Sequence, residues 1–235
     1  MITLGQWRRA MGAGVIFVVL LVVGVMISLS NSPDIKKKDT QATAAAKYVT
    51  YLSDSGHRAG IIVGAYLIVL AALAYIWFAQ ALRTSVTSTS FSGRAIAGLA
   101  TFAGGGVAVG AVLYASPAGS YSFGDEPLPA GDTARVVMDV FVPCLLLVFG
   151  LATALILAIM AVGLRRAGTF PSWVSYTAWL GVLGGIFAVE FLPILLPLLW
   201  FLVFAIVGLV RPPSALVVSR QQPVAATTAP LDDRA

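Results

Sequence analysis

Five long apolar stretches, separated only by short polar segments, leave this chain few ways to fold. They cover 11–30, 59–82, 95–115, 136–164 and 173–210. Each is near or above the ~18–20 residues a helix needs to cross a hydrocarbon core about 30 Å thick. Lipid offers backbone amides no hydrogen-bond partner, so apolar stretches of this length read as helices. The expected fold class is all-α: a polytopic transmembrane helical bundle in a bacterial plasma membrane.

The last stretch is too long for one crossing. From 173 to 210 there are 38 residues, which a single helix would extend to about 57 Å. Pro193 and Pro197 lie near its middle and lack backbone donors. A break is predicted over 191–197, giving spans 173–191 and 196–210 and raising the count to six. The 136–164 stretch also exceeds one bilayer, which predicts a tilt, an outward projection or a bend at Pro143. Residues 1–210 then form a single transmembrane domain. Residues 211–235, rich in Pro, Ala and Thr and without periodicity, read as a disordered cytoplasmic tail.

Composition excludes the common soluble alternatives. The chain is 59% hydrophobic and 11% charged, against about 25% charged in soluble domains. Its net charge of +5 comes from arginines at helix ends, which set membrane orientation and do not indicate nucleic acid. The lone Cys144 and lone His57 give no disulfide framework and no metal cluster, and no catalytic or nucleotide-binding motif is present. No cofactor, metal or enzymatic activity is expected. Arg8 and Arg9 precede the first apolar run as in a signal peptide, but the run exceeds the usual 7–15 residues, so an uncleaved helix is predicted.

Residues 31–58 form the longest connection. A short external helix is predicted at about 40–55, with Asp39 or Thr40 as N-cap and Gly56 ending it in a left-handed conformation. Ala45, Tyr48, Val49 and Leu52 would share its buried face. Residues 116–135 read as a Pro/Gly-rich acidic loop, with Asp132 capping the next helix. Glycines four apart recur in the spans: Gly60 and Gly64, Gly106 and Gly110, Gly181 and Gly185. Such pairs let helix backbones approach closely in lipid, and they are read as packing faces within the chain or as a dimer seam.

Arginine placement predicts orientation. Arg8, Arg9, Arg83, Arg94, Arg165, Arg166, Arg211 and Arg220 fall on one side of a six-span bundle, with no acidic residue close by. The other side interleaves Lys36, Lys37, Lys38, Lys47, Arg58 and Arg135 with carboxylates. The positive-inside rule then puts both termini in the cytoplasm, and Trp7, Trp77 and Trp173 are expected in the interfacial belt there.

Three polar residues are functional candidates. Glu190 is the only acidic residue well inside an apolar stretch, where a carboxylate costs roughly 2.5–3.5 kcal/mol on insertion scales. It reads either as an interfacial carboxylate near the outer end of its helix, within reach of water, Arg135 or Arg58, or as a proton- or substrate-linked group. Asp139 follows Arg135 by four residues, so the two can pair on one helix face.

Three segments carry a resemblance: KYVTYLSDSGHRAGIIVGAYLIVLAALAYIWFAQALR, DEPLPAGDTARVVMD and GTFPSWVSYTAWLGVLGG. In these the chain resembles a family of uncharacterised multi-pass, six-helix integral membrane proteins of actinobacteria. The resemblance implies a membrane location and six helices, and it brings no activity, cofactor or site residue with it. The functional expectation is a structural or accessory membrane protein whose partners are the bilayer and another membrane protein or a second copy of itself. The alternatives are a small transporter using Glu190 and Asp139, and a membrane-embedded enzyme acting on lipid.

Overall fold

Apolar length becomes helix throughout the computed structural model, which describes residues 3–36, 38–86, 91–123, 127–190 and 192–212. Helix α1 spans Leu4–Ser30, α2 Gln41–Ser53, α3 Ser55–Val86 and α4 Phe91–Phe123. The next rod is built of α5 (Gly131–Asp139), the single turn α6 (Phe141–Pro143), a π-helical segment (Cys144–Phe149) and α7 (Gly150–Ala167). Then come α8 (Ser172–Ile186), two 3₁₀ turns (Ala188–Glu190 and Leu192–Ile194) and α9 (Leu195–Val210). Among the described residues no strand occurs. Five helical segments are long and apolar enough to cross a membrane: Leu4–Ser30, Ser55–Val86, Phe91–Phe123, Gly131–Ala167 and Leu192–Val210.

The rods close into a ring. Helix α1 packs on α3, α3 on α4, α4 on the π segment and α7, α7 on α8, α8 on α9, and α9 back on α1. Aromatic rings fill the interior. Phe17 lies 4.7 Å from Tyr75, Tyr75 lies 5.5 Å from Phe149, and Phe201 lies 5.7 Å from Tyr75 and 5.8 Å from Phe78. Phe204 continues the stack to Trp200 and Phe170. The outer surface is apolar as well, with Val19, Met26, Leu73, Phe102, Leu155 and Leu199 all exposed. In water such a continuous patch would drive association, whereas lipid is its natural solvent.

Glycine sets the spacing of the rods. A Cβ on Gly64 would strike the Ser28 hydroxyl and stand 2.9 Å from the Gly24 carbonyl, while one on Gly60 would strike the Asn31 side chain. The predicted pair on α3 therefore crosses a matching small pair on α1, Gly24 and Ser28. The crossing of α7 and α8 repeats the pattern: Gly185 faces the Gly150 carbonyl at 2.7 Å and Ala154 at 2.9 Å, and Gly181 faces Leu157 at 2.5 Å. Gly106 and Gly110 meet Val148 (2.6 Å) and Cys144 (2.7 Å). All six glycines singled out by their spacing face neighbouring rods of the same chain.

Several boundaries differ from expectation, each for a local reason. Helix α4 does not end at 115; it runs through Pro117 to Phe123. Proline leaves the carbonyl four residues back without its amide donor, and the Ser116 hydroxyl donates to Leu113 O instead, at 2.9 Å. The expected loop over 116–135 thus shrinks to a short stretch before Gly131. Asp132 makes no cap hydrogen bond and sits in the first turn of α5, where Ala130 is the N-cap. Helix α2 ends at Ser53 with Asp54 in extended conformation as its C-cap, so Gly56 does not close it but belongs to the first turn of α3. Thr40 is the N-cap of α2, its hydroxyl accepting from Thr43 N at 3.2 Å. The buried face is Ala44, Tyr48 and Leu52, and Val49 is exposed.

At Pro143 the rod changes its hydrogen-bond pattern: a six-residue π segment, Cys144–Phe149, follows the proline before α7 begins. The break between α8 and α9 occupies Phe187–Ile194, starting earlier than predicted; Phe191 lies outside the described residues. Pro193 sits in a 3₁₀ turn, and Pro197 sits in the first turn of α9, where its missing amide costs nothing. At Gly184 a Cβ would stand 2.5 Å from Pro193 O, so the fold-back needs glycine there. Among the described residues the one glycine with positive φ is Gly168 (φ 60°), which caps α7 through its amide to Leu164 O. Trp7 is not an interfacial belt residue: it is buried, donates from Nε1 to Gly208 O at 2.9 Å, and locks the start of α1 to the end of α9. Of the tail, residues 213–235 lie outside the described residues.

Candidate functional site

Glu190 ends the first 3₁₀ turn between α8 and α9, and its amide bonds to Phe187 O. It is exposed. Among the described residues its carboxylate has neither a hydrogen bond nor an ion pair, and the two expected cations are engaged elsewhere. Arg135 pairs with Asp139, Nε to Oδ2 at 3.6 Å. Arg58 Nη1 donates to Leu52 O (2.7 Å) and Ser53 O (2.9 Å), its Nε donates to Ser122 Oγ (3.2 Å), and its guanidinium lies 4.6 Å from the Tyr121 ring centroid. Glu190 and Asp139 therefore do not share a site.

Asp139 instead belongs to a polar crown at the end of the bundle opposite the termini. Tyr48, on the buried face of α2, donates its hydroxyl to Asp139 Oδ1 at 3.2 Å. Burial, followed by the Asp139 charge, pushes the Tyr48 phenol well above its ordinary range, so it stays a donor at any physiological pH. Helix α2 is pressed onto α5 because Gly131 offers no side chain; a Cβ there would strike the Ala45 carbonyl. The other flank of α2 is tied by Lys47, which reaches Asp39 Oδ2 at 2.6 Å and Asp34 O at 2.8 Å. The Lys47 hydrogen bond and a second from Lys36 N hold the Asp39 carboxyl below the usual carboxylate range. Asp54 is lowered likewise, first by the amide of His57. Tyr114 Oη donates to Ser28 O at 3.0 Å and meets the Ser32 hydroxyl, joining α4 to the end of α1. His57 stacks on Tyr51 at 4.2 Å. No group of His, Cys, Asp or Glu among the described residues could hold a metal ion.

Spacing in the sequence revealed the Arg135–Asp139 pair, since i and i+4 are neighbours on a helix. It did not reveal Tyr48 or Arg58, whose partners lie on other elements. Their one sequence signal was Tyr48 on the apolar face of an otherwise polar helix, a tyrosine needing a partner once buried.

The interior offers little polar chemistry. Buried serine and threonine among the described residues are Ser28, Ser85, Thr153 and Ser175. The hydroxyls of Ser85 and Ser175 donate to the carbonyls of Ala81 and Ala161. Cavities lined by described residues open on the flanks. An apolar groove of about 190 Å³ lies where α1 and α9 diverge, and a cleft of about 910 Å³ opens between the ends of α3, α4, α7 and α8. Neither includes Glu190 or Asp139. Comparison with protein-family models, with curated proteins and with solved structures gives no match.

Proposed function

We propose that the chain is a six-span protein of a bacterial plasma membrane, with both termini in the cytoplasm and a structural or accessory role carried by its helix surfaces. The observation that carries this reading is the aromatic interior. Phe17, Tyr75, Phe78, Phe149, Phe201 and Phe204 interlock across the ring of helices where a conduit would need polar groups or water. A permeation path has to line its route with groups that replace solvation, and Glu190 stands outside the bundle at a turn. The sixth crossing is α8: its 15 residues cover about 22 Å as a helix, and the two 3₁₀ turns add the remaining depth. The arginine-rich end, with no Asp or Glu among its described residues, then faces the cytoplasm, as the positive-inside rule requires.

The test is flux in proteoliposomes. Wild-type protein should give no proton or cation flux above protein-free vesicles at any pH between 5 and 8, and Glu190→Gln should accumulate, fold and behave as wild type. A pH-dependent flux that the Gln variant loses would overturn the accessory reading in favour of transport.

A further inference from the structure

The end of the bundle that carries the termini has a one-sided charge. Its described residues include seven arginines, at 8, 9, 83, 94, 165, 166 and 211, and no Asp or Glu. The cleft of about 910 Å³ opens at this end, in the angle between the α3–α4 pair and the α7–α8 pair. Arg166, Thr84 and Ser92 stand at its mouth, and Ile159, Val162 and Trp179 line it further down. Counted from the ends of α7 and α8 at ~1.5 Å per residue, Val162 lies about 8 Å below the mouth, Trp179 about 10 Å and Ile159 about 12 Å. The lining therefore changes from cationic and hydroxylic to apolar over the depth at which a bilayer changes from headgroup to acyl chain.

Two details leave the cleft open to its surroundings. Arg165 is held against the Tyr176 ring on α8, 5.6 Å from its centroid, whereas Arg166 has no hydrogen-bond or ion-pair partner among the described residues. The apolar walls are also open: Val162 is 42% and Trp179 49% exposed. Gly163 shapes the site by letting Val86 press directly on α7, which draws the end of α3 against the cleft.

We infer that this cleft binds one anionic glycerophospholipid from the leaflet at this end. The phosphate sits at Arg166 with the Ser92 hydroxyl, and an acyl chain runs down Val162 and Ile159 beside Trp179; the Thr84 hydroxyl already donates to the carbonyls of Gln80 and Ala81. Charge and shape choose this occupant over others. A free inorganic anion would use the mouth and leave the apolar walls uncovered. A zwitterionic lipid would bring its ammonium into a field of arginines with no carboxylate among the described residues to receive it. A partner's transmembrane helix would need an apolar wall through the whole bilayer, and the cleft ends about halfway. Basic pockets between helices at a membrane face are suited to anionic headgroups on these grounds. The inference does not depend on which compartment this end faces.

The experiment is native mass spectrometry of the full-length protein in mild detergent, titrated with dioleoyl phosphatidylglycerol, dioleoyl phosphatidylcholine and inorganic phosphate. One phosphatidylglycerol should be retained about fivefold more tightly than phosphatidylcholine, the preference one arginine provides at a membrane surface. Arg166→Gln should erase that preference. Val162→Trp, which fills the cleft without changing charge, should weaken retention of the lipid. Arg9→Gln, an exposed arginine at the same end on α1, should leave both unchanged. Equal retention of the two lipids would overturn the site, and so would an Arg9→Gln loss as large as that of Arg166→Gln, since the field would then be diffuse. Thermal protection by inorganic phosphate equal to that by phosphatidylglycerol would overturn the lipid in favour of a free anion.

Discussion

The two ends of this bundle solve the same problem in opposite ways. At the crown, Lys47, Arg58 and Arg135 each meet a carboxylate, backbone carbonyls or an aromatic ring of the chain itself, and α2 packs on α5 and the start of α3. At the other end, arginines gather with no Asp or Glu among the described residues, and connections such as Ala167–Ser172 are short. The crown is built to hold its charges inside the fold. The opposite end presents them to whatever lies outside it, and in a membrane that means phosphate groups and the orientation machinery that reads positive charge. Charge-neutralising substitutions should accordingly cost stability at the crown and cost something other than stability at the other end.

The largest effect should come where the crown end is pinned by backbone contact. Gly64→Val puts branched carbons into the Gly24 carbonyl, and backbone cannot yield as a flexible side chain can. Separating α1 from α3 to make room should cost about 3 kcal/mol, read as a lowered midpoint of unfolding in mixed micelles. Gly98→Val, where a Cβ would meet nothing within 4 Å, should leave the midpoint within about 0.5 kcal/mol. Equal losses in the two variants would show that glycine spacing, and not the crossing it permits, was being measured.

Next in size is Arg58→Ala at the crown. It removes two charge-assisted bonds to carbonyls that end α2 and a stacking contact with Tyr121, and should cost about 1–2 kcal/mol after discounting for partial exposure. Tyr48→Phe, which removes only the bond to Asp139, should cost about 1 kcal/mol. Arg166→Gln at the opposite end should cost less than about 0.5 kcal/mol in detergent. A larger loss from Arg166→Gln than from Arg58→Ala would reverse the contrast between the ends.

How much of this was legible beforehand follows the range of the interactions. Helices written in apolar length, the fold-back before α9 and the glycine faces are properties of contiguous residues, so the string displays them. The end of α4 was misread because Pro117 and its neighbours look like a loop; Ser116, one residue before the proline, supplies the hydroxyl that keeps the helix going. Trp7 was misplaced in the lipid belt because its acceptor, Gly208, is 201 residues away. Glu190 drew attention through its apolar neighbours, but those neighbours end a helix, and at a helix end a carboxylate can stay outside. The cleft beside Arg166 was invisible, since it is assembled from four helices whose proximity only the fold supplies.

Acid sharpens the contrast with a smaller, local effect. Asp39 and Asp54 both titrate below their ordinary range because the native state donates hydrogen bonds to their charged forms. A carboxyl lowered in this way adds stability that is complete above its unfolded pKa of about 4 and is lost as pH falls through the lowered native value. Hydrogen exchange corrected for its intrinsic pH dependence should therefore rise in α2 and the first turn of α3 as the pH falls below about 4. Protection in the last turns of α7 should stay constant, with no carboxylate among the described residues beside them to protonate. Uniform loosening along the chain would mean that the crown is not a separate unit.

The smallest effect on stability should accompany the clearest effect on placement. Arg8 and Arg9 lie near the start of α1 on its exposed side, so replacing both with Gln should move the unfolding midpoint by no more than about 0.5 kcal/mol. They are also the charges nearest the first crossing, and the positive-inside rule weighs charges within about 15–20 residues of a span end. After α1 the sequence continues to Lys36, Lys37 and Lys38, a competing run of charge partly offset by Asp34, which lies 3.7 Å from Lys36. Removing the arginine pair should hand the first helix to the lysines in a fraction of molecules. Reporter fusions after Arg166 and after Val210 should be cytoplasmic in the wild type and split between compartments in the double variant, while a fusion after Phe123 should behave as their mirror image. An unsplit pattern would mean that the arginines of the later loops set the orientation. A wild-type fusion after Val210 that reads as external would remove one crossing and overturn the six-span arrangement.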